Sequence, residues 1–333
     1  MRVGIGFTPF ETRVDVLVRL AVRADAAGVE AVGVAEGWSN DALIVLAEVA
    51  QRTSRIGVGT SVLSVWGRSA ATLAMGAAGL QRCSGGRFVL GLGAGSPPLS
   101  EGFHGVTWER PVERLRTTVT AVRALLAGER LPVPAAGARA LRLGVVPEDP
   151  VPVELAALSP ASVRLAGELA DGWTPFLWAR SRLSDGIALV REGEARGDRG
   201  PTQILPGVPV ALAADPAAAR QVAAWWLATY ATRMGPLYPR MLGERFGMGV
   251  GVRAVVDAAQ EGTPDLPAAA EDLAQEVTLL GTYDEAEDVI GAWVAAGADR
   301  VNLVMPPGRP EEELAAIVDV AGRLAAATAS AGP

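Results

Sequence analysis

The chain has 333 residues, half of them hydrophobic, and its 37 acidic side chains exceed its 30 basic ones to give a net charge of −7. It contains no Lys, one Cys (Cys83) and one His (His104). These counts exclude lysine-based chemistry, an internal disulfide, and any metal site that needs several thiolates or imidazoles. We therefore expect no metal centre, and we expect the reactive group to come from a bound molecule.

The acidic balance argues against a nucleic-acid partner, because nucleic acids bind basic surfaces. No stretch reaches the roughly 18 to 20 uninterrupted apolar residues that a membrane span requires. Even the Ala-rich residues 314–327 include Asp319 and Arg323. The first residues show no apolar run leading to a cleavage site, so we expect no signal peptide. The sequence thus predicts a cytoplasmic protein that binds a small molecule, with neither a nucleic-acid nor a membrane partner.

Strand-like and helix-like segments alternate along the chain in eight pairs. Short apolar runs predict the strands, and apolar residues spaced three and four apart predict the helices. The predicted strands are residues 3–7, 31–35, 56–62, 88–92, 153–157, 172–176, 204–212 and 301–305. The predicted helices are residues 14–27, 41–51, 69–82, 112–127, 162–170, 180–195, 217–232 and 311–325. Residues 235–280 do not fit this alternation and contain three helix-like stretches, 237–246, 252–260 and 268–280.

Eight strand–helix pairs predict an α/β fold of the (β/α)₈ TIM-barrel type, since near-continuous apolar strands are typical of parallel strands buried on both faces. A doubly wound open sheet is the alternative. It usually carries a Gly-rich phosphate turn after its first strand, and residues 6–9 (GFTP) are not one. We expect one barrel domain over residues 1–333, with residues 235–280 as a helical insertion before the last strand. We place that insertion over the mouth, the face at the C-terminal ends of the strands, where barrel enzymes carry out their chemistry.

Several motifs in chain order resemble the bacterial-luciferase-like family. They are GTSVLS at 59–64, SGGRFVLGLGAG at 84–95, AALSP at 156–160 with LAGELADG at 165–172, and GT at 281–282 with AGADRV at 296–301. Two further segments resemble the branch of the family that uses coenzyme F420, an 8-hydroxy-5-deazaflavin. These segments are EGFHGV at 101–106, followed by Arg110 and Pro111, and residues 234–246. Together the motifs span nearly the whole chain.

The resemblance implies a barrel with the cofactor at its mouth and hydride transfer at the deazaflavin C5. The other reactant is expected to be an electrophilic carbon (C=C, C=N or C=O) of a small apolar metabolite. A deazaflavin cannot form the oxygen adduct of a flavin monooxygenase, so F420 enzymes are mainly reductases and dehydrogenases. An FMN-dependent monooxygenase is the first alternative, and a non-catalytic flavin-binding or deazaflavin-binding protein is the second. We also expect a homodimer or a higher homo-oligomer.

The resemblance assigns one set of cofactor-binding residues to the wall behind the ring. A non-prolyl cis peptide is expected at Ser61-Val62, bracing the cofactor ring from behind. Ser64, Gly95 and Ser96 are expected to bind the cofactor beside it. Ser96 also stands where sugar-phosphate-oxidising relatives place a catalytic Glu. This departure, together with the absence of Lys, argues against a phosphorylated sugar as substrate.

A second set is expected to hold the cofactor phosphate where the fifth strand meets its helix. Leu158, Ser159, Pro160, Ala161 and Ser162 form this loop. Ser159 is a suitable N-cap, and proline is common at the first helical position. We expect the amides of Ala161 and Ser162 to point at an anion, because helix N-termini bind anions. A plain capping role for Ser159 is compatible with that expectation.

His104 and Glu36 are the candidate catalytic residues. His104 lies in the longest loop of the predicted mouth, and an imidazole titrates near neutrality, as a general acid requires. Its alternative role is that of a packed lid residue. Relatives often place a His after the acidic residue that follows the second strand, but here Gly37 follows Glu36. Six aromatic side chains are expected to form an apolar substrate pocket: Phe7, Trp38, Trp66, Phe103, Trp108 and Tyr238.

Two further pairs of residues leave alternatives open. Arg240 and Arg245, on the insertion, are expected either to pair with the oligoglutamate tail of the cofactor or to lie on a solvated helix face. Trp225 and Trp226, on the seventh helix, are expected to serve outer packing or an interface.

Overall fold

The computed structural model describes residues 1–132, 137, 139–262 and 265–330, without the side chains of 328–330. In these ranges the strands are β1 (Val3–Phe7), β2 (Ala31–Val34), β3 (Gly57–Thr60), β4 (Leu63–Ser64), β5 (Phe88–Gly93), β6 (Val153–Ala156), β7 (Gly172–Trp173), β8 (Gln203–Ile204), β9 (Gly207–Ala213), β10 (Leu279–Thr282) and β11 (Val301–Met305). The helices are α1 (Val14–Ala26), α2 (Ala42–Arg52), α3 (Ala70–Cys83), α4 (Pro111–Leu126), α5 (Pro160–Leu169), α6 (Leu183–Glu194), α7 (Pro216–Thr232), α8 (Leu237–Arg240), α9 (Gly249–Gln260), α10 (Glu271–Val277), α11 (Ala286–Ala295) and α12 (Glu311–Ser330).

All strand pairs in the described ranges are parallel, and the sheet curls into a barrel. β1 pairs with β2 on one side and with β11 on the other. The neighbours then follow in the order β2, β3, β5, β6, β7 and β8, while β9 pairs with β11. A bridge between Phe176 and Gly207 joins the segment after β7 to β9. With β3 and β4 sharing one position and β8 and β9 another, the ring has eight positions, which confirms the predicted (β/α)₈ barrel.

The core has the two layers that a parallel barrel requires. Every residue of β1 is buried, because its two faces meet the barrel interior and the surrounding helices. The helices bury one face each. In α1 this face comprises Val16, Leu17, Val18, Leu20, Ala21 and Ala24. None of the described helices is long and apolar enough to cross a membrane.

The prediction of a helix over residues 268–280 was wrong at its end. Helix α10 stops at Val277, and Leu279 begins strand β10, which pairs with residues 210–213 of β9. The physical reason lies in β9, whose pairing with β11 covers only Gly207, Val208 and Pro209. Its remaining backbone groups need other partners, and β10 supplies them. The rest of the insertion is helical in its described part, and residues 263–264 lie outside the described residues.

A charged network fills the barrel end opposite the mouth. Arg300, which precedes β11, lies 3.2 Å from Glu30 and 3.1 Å from Glu154, measured from its Nη1 and Nη2 to the carboxylate oxygens. Its Nε donates to Asn302 Oδ1 at 3.0 Å. Burial raises the pKa of Glu154, and the Arg300 charge opposes that rise. Glu30 also pairs with Arg2 at 2.7 Å, so Glu154 is the carboxylate that depends on Arg300 for its countercharge.

We expect Arg300→Met to lower the free energy of unfolding by about 3–5 kcal/mol, because it leaves the buried Glu154 carboxylate without its cation, whereas Glu30 keeps its pair with Arg2. Arg23→Met is the matched control, since Arg23 pairs with Asp319 at 2.7 Å but is 51% exposed. We expect that control to cost less than about 1 kcal/mol. Urea unfolding monitored by circular dichroism measures both. Equal losses in the two variants would contradict a stabilising role for the buried network.

Candidate active site

The segment between β3 and β4 forms one wall of the mouth. The Ser61-Val62 peptide bond is cis, as expected. The Ser61 amide donates to the Val34 carbonyl at 2.8 Å, and the Glu36 amide donates to the Val62 carbonyl at 3.2 Å. These bonds attach the segment to the end of β2. We call residues 60–62 the bulge segment.

Glycines on both sides leave room for the bulge segment. A Cβ on Gly33 would lie 2.8 Å from Ser61 Cβ, and one on Gly93 would lie 2.7 Å from Val62 Cγ2. A Cβ on Gly91 would overlap the Thr60 carbonyl oxygen. Side chains at these three positions would therefore push the segment out of place. This close approach explains the Gly-rich character of β5, which the sequence shows as LGLG at 90–93.

Ser64 and Gly95, two of the predicted cofactor-binding residues, lie side by side next to this segment. Gly95 has a φ of +72°, and a Cβ there would lie 3.4 Å from Ser64 Oγ. Ser64 Oγ accepts from the Trp66 amide at 3.3 Å. The Ser96 carbonyl accepts from the Ser100 amide at 3.0 Å, at the start of residues 94–110, which we call the lid loop. The structure thus connects this part of the predicted cofactor site to the loop that carries His104.

His104 lies against the backbone of the β4 loop. A Cβ on Gly67 would come within 2.7 Å of the imidazole Cε1, so the missing side chain at Gly67 gives the ring its place. The ring of Phe103 packs edge-on against it at 5.1 Å between centroids. In the described ranges neither imidazole nitrogen has a protein hydrogen-bond partner. The ring is half-buried, and both nitrogens are free for a ligand.

Glu36 differs from His104 in this respect. Its two carboxylate oxygens accept from the two terminal nitrogens of Arg68, and one of them also accepts from the Ala42 amide at 3.1 Å. Arg68 bonds to Asp41 as well, at 2.6 Å. Glu36 therefore links the loops that follow β2 and β4. Of the two predicted catalytic side chains, only His104 keeps its polar atoms free.

The predicted pocket residues divide into two separate groups. The first group, which we call the lid wall, consists of Trp66, Phe103, His104 and Trp108. Trp66 and Trp108 lie 5.3 Å apart between ring centroids, and Trp66 Nε1 donates to the Ala94 carbonyl at 2.7 Å. This wall lies on the β4 and β5 side of the mouth.

The second group, the aromatic wall, consists of Phe10, Trp38, Phe176, Tyr230 and Tyr238. Phe10 meets Trp38 at 5.8 Å and Tyr230 at 6.5 Å between centroids. Phe176 meets Tyr230 at 4.9 Å and Tyr238 at 6.2 Å. No ring contact joins this wall to the lid wall among the residues that the structure describes. The rings expected to line the substrate pocket therefore form two clusters, and their shared role as one pocket stays a prediction.

Phe7 belongs to neither wall. It is buried within β1, and its carbonyl accepts from the Ala35 amide at 2.9 Å. The sequence analysis missed Phe10, Phe176 and Tyr230. A signal for the first two was present, because Thr-Pro-Phe occurs twice, at 8–10 and 174–176, each time after a predicted strand or at its end.

The predicted phosphate loop has the expected N-cap, but only one of the two amides that we expected to bind an anion is free. Ser159 Oγ accepts from the Ser162 amide at 3.2 Å, and Ser162 Oγ accepts from the Ser159 amide at 3.1 Å. This capping box uses the Ser162 amide that we expected to be free, and Pro160 has none. Ala161 keeps an amide without a protein acceptor. The loop therefore offers an anion one backbone donor from this turn.

Arg245 of the insertion is bound to the same loop. Its Nη1 donates to the Leu158 carbonyl at 2.6 Å, and its guanidinium lies 4.5 Å from the Trp178 ring centroid. Arg245 is exposed, as the solvated alternative expects, and it also binds the loop; pairing with an oligoglutamate tail stays a prediction. Trp226 is fully buried and donates to the Val210 carbonyl at 2.9 Å, which agrees with a packing role. Trp225 contacts Phe10 at 6.1 Å.

Within the described ranges no group of three or more His, Cys, Asp or Glu residues could hold a metal ion. The site is instead built from backbone, aromatic rings and hydroxyl groups. Such a site suits a planar organic cofactor better than a metal.

Comparison with known proteins identifies the class. The model of the luciferase-like monooxygenase family matches residues 1–300. A Mycobacterium tuberculosis protein named as a coenzyme F420-dependent oxidoreductase is 30% identical over 90% of this chain and 93% of its own length. The 5,10-methylenetetrahydromethanopterin reductase of Methanolobus tindarius is 27% identical over 78% of this chain and 79% of its own.

A solved structure extends the comparison to the fold. It is an F420-dependent secondary alcohol dehydrogenase in complex with an F420-acetone adduct, with a TM-score of 0.76 and 20% identity over 96% of this chain and 98% of its own. The chain belongs to the luciferase-like monooxygenase family, which confirms the resemblance drawn from its motifs. Its assignment as an oxidoreductase of this family is confirmed as well.

We expect Gly91→Ala to destabilise the fold by about 1–3 kcal/mol or more, because the added methyl group overlaps the Thr60 carbonyl. Gly79→Ala is the control, since a Cβ at this position in α3 meets nothing within 4 Å. That change should stabilise the protein by up to about 1 kcal/mol, as alanine does in a helix interior. Thermal unfolding measures both. An unchanged melting temperature for Gly91→Ala would show that the bulge segment does not need the space that glycine leaves at this position.

Proposed function

We propose that the protein is an F420-dependent oxidoreductase that transfers a hydride between the deazaflavin C5 and an electrophilic carbon of a small apolar metabolite. The observation that carries this proposal is the bulge segment, for which three glycines leave room at a mouth that aromatic side chains surround. A mouth with bare backbone at the bulge segment and aromatic rings around it suits a tricyclic ring. The names of the relatives support the choice of F420 over other flavin-type cofactors.

The residues present fit such a cofactor. The glycines of β2 and β5 leave the bulge segment room to brace a ring. Ser64, Gly95 and Ser96 continue the surface that this segment forms. The Ala161 amide at the start of α5 would hold the phosphate, because a helix N-terminus favours anions. Arg245 adds a positive charge at the same loop. When bound, the deazaflavin supplies or accepts the hydride.

The chain itself has to orient the substrate and move a proton. His104 is the group that would exchange a proton with the atom next to the carbon that takes or gives the hydride. Its ring nitrogens have no protein partner in the described ranges, and Gly67 fixes its place. Trp66 and Trp108 would exclude water around it. The Glu36–Arg68 pair would keep the two loops beneath the lid wall in position.

The second candidate is an FMN-dependent monooxygenase, which the name of the matching family favours. A non-catalytic cofactor-binding protein is the third, because Gly37 removes an acid–base group that relatives carry. We also propose a homodimer or higher homo-oligomer, since α2 and α3 expose Ile44 and Met75. A cytoplasmic location stays a prediction.

We expect the purified protein to bind oxidised F420 more tightly than FMN, and to oxidise reduced F420 without oxygen when an electrophilic apolar substrate is added. Fluorescence titration measures the binding, and deazaflavin absorbance measures the turnover. Oxygen uptake with reduced FMN, and no turnover of reduced F420, would contradict the proposal in favour of the monooxygenase. Tight binding without any hydride exchange would favour the non-catalytic candidate.

We expect His104→Ala to slow turnover about 100-fold or more, the usual contribution of a general acid, while F420 affinity changes little. Gly67→Ala should also slow turnover, because its methyl group displaces the imidazole without removing it. The control is Gly102→Ala in the same lid loop, where a Cβ meets nothing within 4 Å. Steady-state rates over a range of pH compare the three variants. An unchanged rate in the His104→Ala variant would show that the residue serves only in packing.

A further inference from the structure

The two Thr-Pro-Phe tripeptides lie on one side of the mouth. Residues 8–10 follow β1, and residues 174–176 follow β7. The rings of both Phe residues contact Tyr230, which reaches them from α7. Tyr238 of the insertion packs edge-on against Tyr230 at 5.1 Å. Tyr230 therefore ties the ends of two strands to the inserted helices.

This wall carries hydroxyl groups that the protein does not satisfy. The Oγ1 atoms of Thr8 and Thr174 are buried and have no hydrogen-bond partner. Tyr230 is only 6% exposed and Tyr238 is half-buried, and neither hydroxyl forms a hydrogen bond with a described residue. Buried polar groups are nearly always paired, and an unpaired one costs free energy. The two threonine oxygens are enclosed by protein, so the tyrosine hydroxyls are the groups that remain for a ligand to bond.

The two tyrosine hydroxyls are suited to donate hydrogen bonds. Burial raises the pKa of both phenols, so they stay protonated at neutral pH. A protonated phenol donates one hydrogen bond to an acceptor such as a carbonyl oxygen. The surrounding rings of Phe10 and Phe176 favour a planar apolar partner for the remainder of the ligand.

Part of the wall lies across the barrel from the bulge segment, since Phe176 follows β7 and Tyr230 lies on α7, whereas Trp38 follows the neighbouring strand β2. The segment lies at the third of the eight ring positions, between β3 and β4, whereas β9 and the helix α7 that follows it belong to the seventh. A molecule placed between them meets the aromatic wall on the side away from the bulge segment. His104 belongs to the lid wall, which has no ring contact with Tyr230 in the described ranges.

The separation of His104 from the tyrosine hydroxyls distinguishes between two classes of carbonyl substrate. When a simple ketone is reduced, the proton donor and the hydrogen-bond donor both act on the carbonyl oxygen. In a conjugated enone the two groups act on different atoms, because hydrogen bonds hold the carbonyl oxygen while the α-carbon takes the proton. Hydroxyl groups on the aromatic wall and an imidazole on the lid wall therefore favour the conjugated enone.

We propose that Tyr230 and Tyr238 form the polar end of the substrate pocket, donating hydrogen bonds to the carbonyl oxygen of a planar conjugated carbonyl compound. This inference rests on the proposed function. The hydride from the reduced deazaflavin forms a C–H bond at the β-carbon. The π pair of the C=C bond then forms a double bond between the α-carbon and the carbonyl carbon, and the carbonyl π pair moves onto the oxygen that the tyrosines hold. The α-carbon takes the proton from His104, and the carbonyl is regenerated. The substrate is thereby reduced by two electrons.

A binding experiment without cofactor tests the pocket independently of hydride transfer. The probes are acetophenone and α-methylstyrene, which have the same shape but differ in the carbonyl oxygen. Saturation-transfer NMR compares their affinities for the wild type and for Tyr230→Phe, Tyr238→Phe and Tyr283→Phe. Tyr283 is the control, because it is the third of only three tyrosines and contacts no ring of the aromatic wall.

We expect the wild type to prefer acetophenone, and each of the first two variants to lose about two- to tenfold of that preference, the value of one hydrogen bond. The Tyr283→Phe variant should keep it. The same preference in all four proteins, or no binding of acetophenone, would overturn the proposal. Failure of F420 turnover with the preference intact would reject the proposed function but not the pocket.

The reaction product tests the assignment of roles. With reduced F420 and 4-phenyl-3-buten-2-one, we expect the saturated ketone 4-phenylbutan-2-one. Formation of the allylic alcohol would overturn the proposal, because hydride would then have reached the carbonyl carbon. Reduction of simple ketones alone, with the enone left intact, would overturn it as well.

Discussion

The close approach of the bulge segment to its two neighbouring strands is the constraint on which the active site depends. Gly33 on β2 and Gly91 and Gly93 on β5 have no side chains where the segment needs room. Thr60 Oγ1 then exchanges hydrogen bonds with the backbone of Gly91, at 2.8 Å in both directions. A backbone surface rather than a row of side chains therefore faces the mouth. Ser64 and Gly95 extend this surface toward the lid loop.

The remaining parts of the site are arranged around that surface. The lid wall brings one imidazole to the mouth, the aromatic wall brings hydroxyl groups, and the start of α5 brings a backbone amide. Few side chains in this arrangement can react, which agrees with the absence of Lys and the single His of the sequence. A cofactor that carries the hydride needs from the protein only binding, orientation and a proton.

Much of the fold could be predicted from the sequence, because the period of apolar residues reports burial directly. Strand β10 could not, since its need arises from the unpaired upper half of β9, which only the three-dimensional pairing reveals. The insertion remained ambiguous for the same reason. A helix-like pattern at residues 268–280 cannot show where a neighbouring strand needs a partner.

The site was less predictable than the fold. The motifs located the bulge segment and the phosphate loop, but not how individual polar atoms are used. Arg68 occupies the Glu36 carboxylate, and Ser159 occupies the Ser162 amide. Tyr230 lies on a helix that precedes the insertion, where a sequence pattern reads simply as packing. Long-range contacts decide such matters, and spacing along one helix does not report them.

The most direct test of this account is a crystal structure of the protein soaked with oxidised F420. We predict that the deazaflavin ring lies against Ser61 and Val62, between the lid wall and the aromatic wall, with its phosphate at the Ala161 amide. A ring bound elsewhere, for example in the groove between α4 and α5, would contradict the assignment of the mouth as the active site.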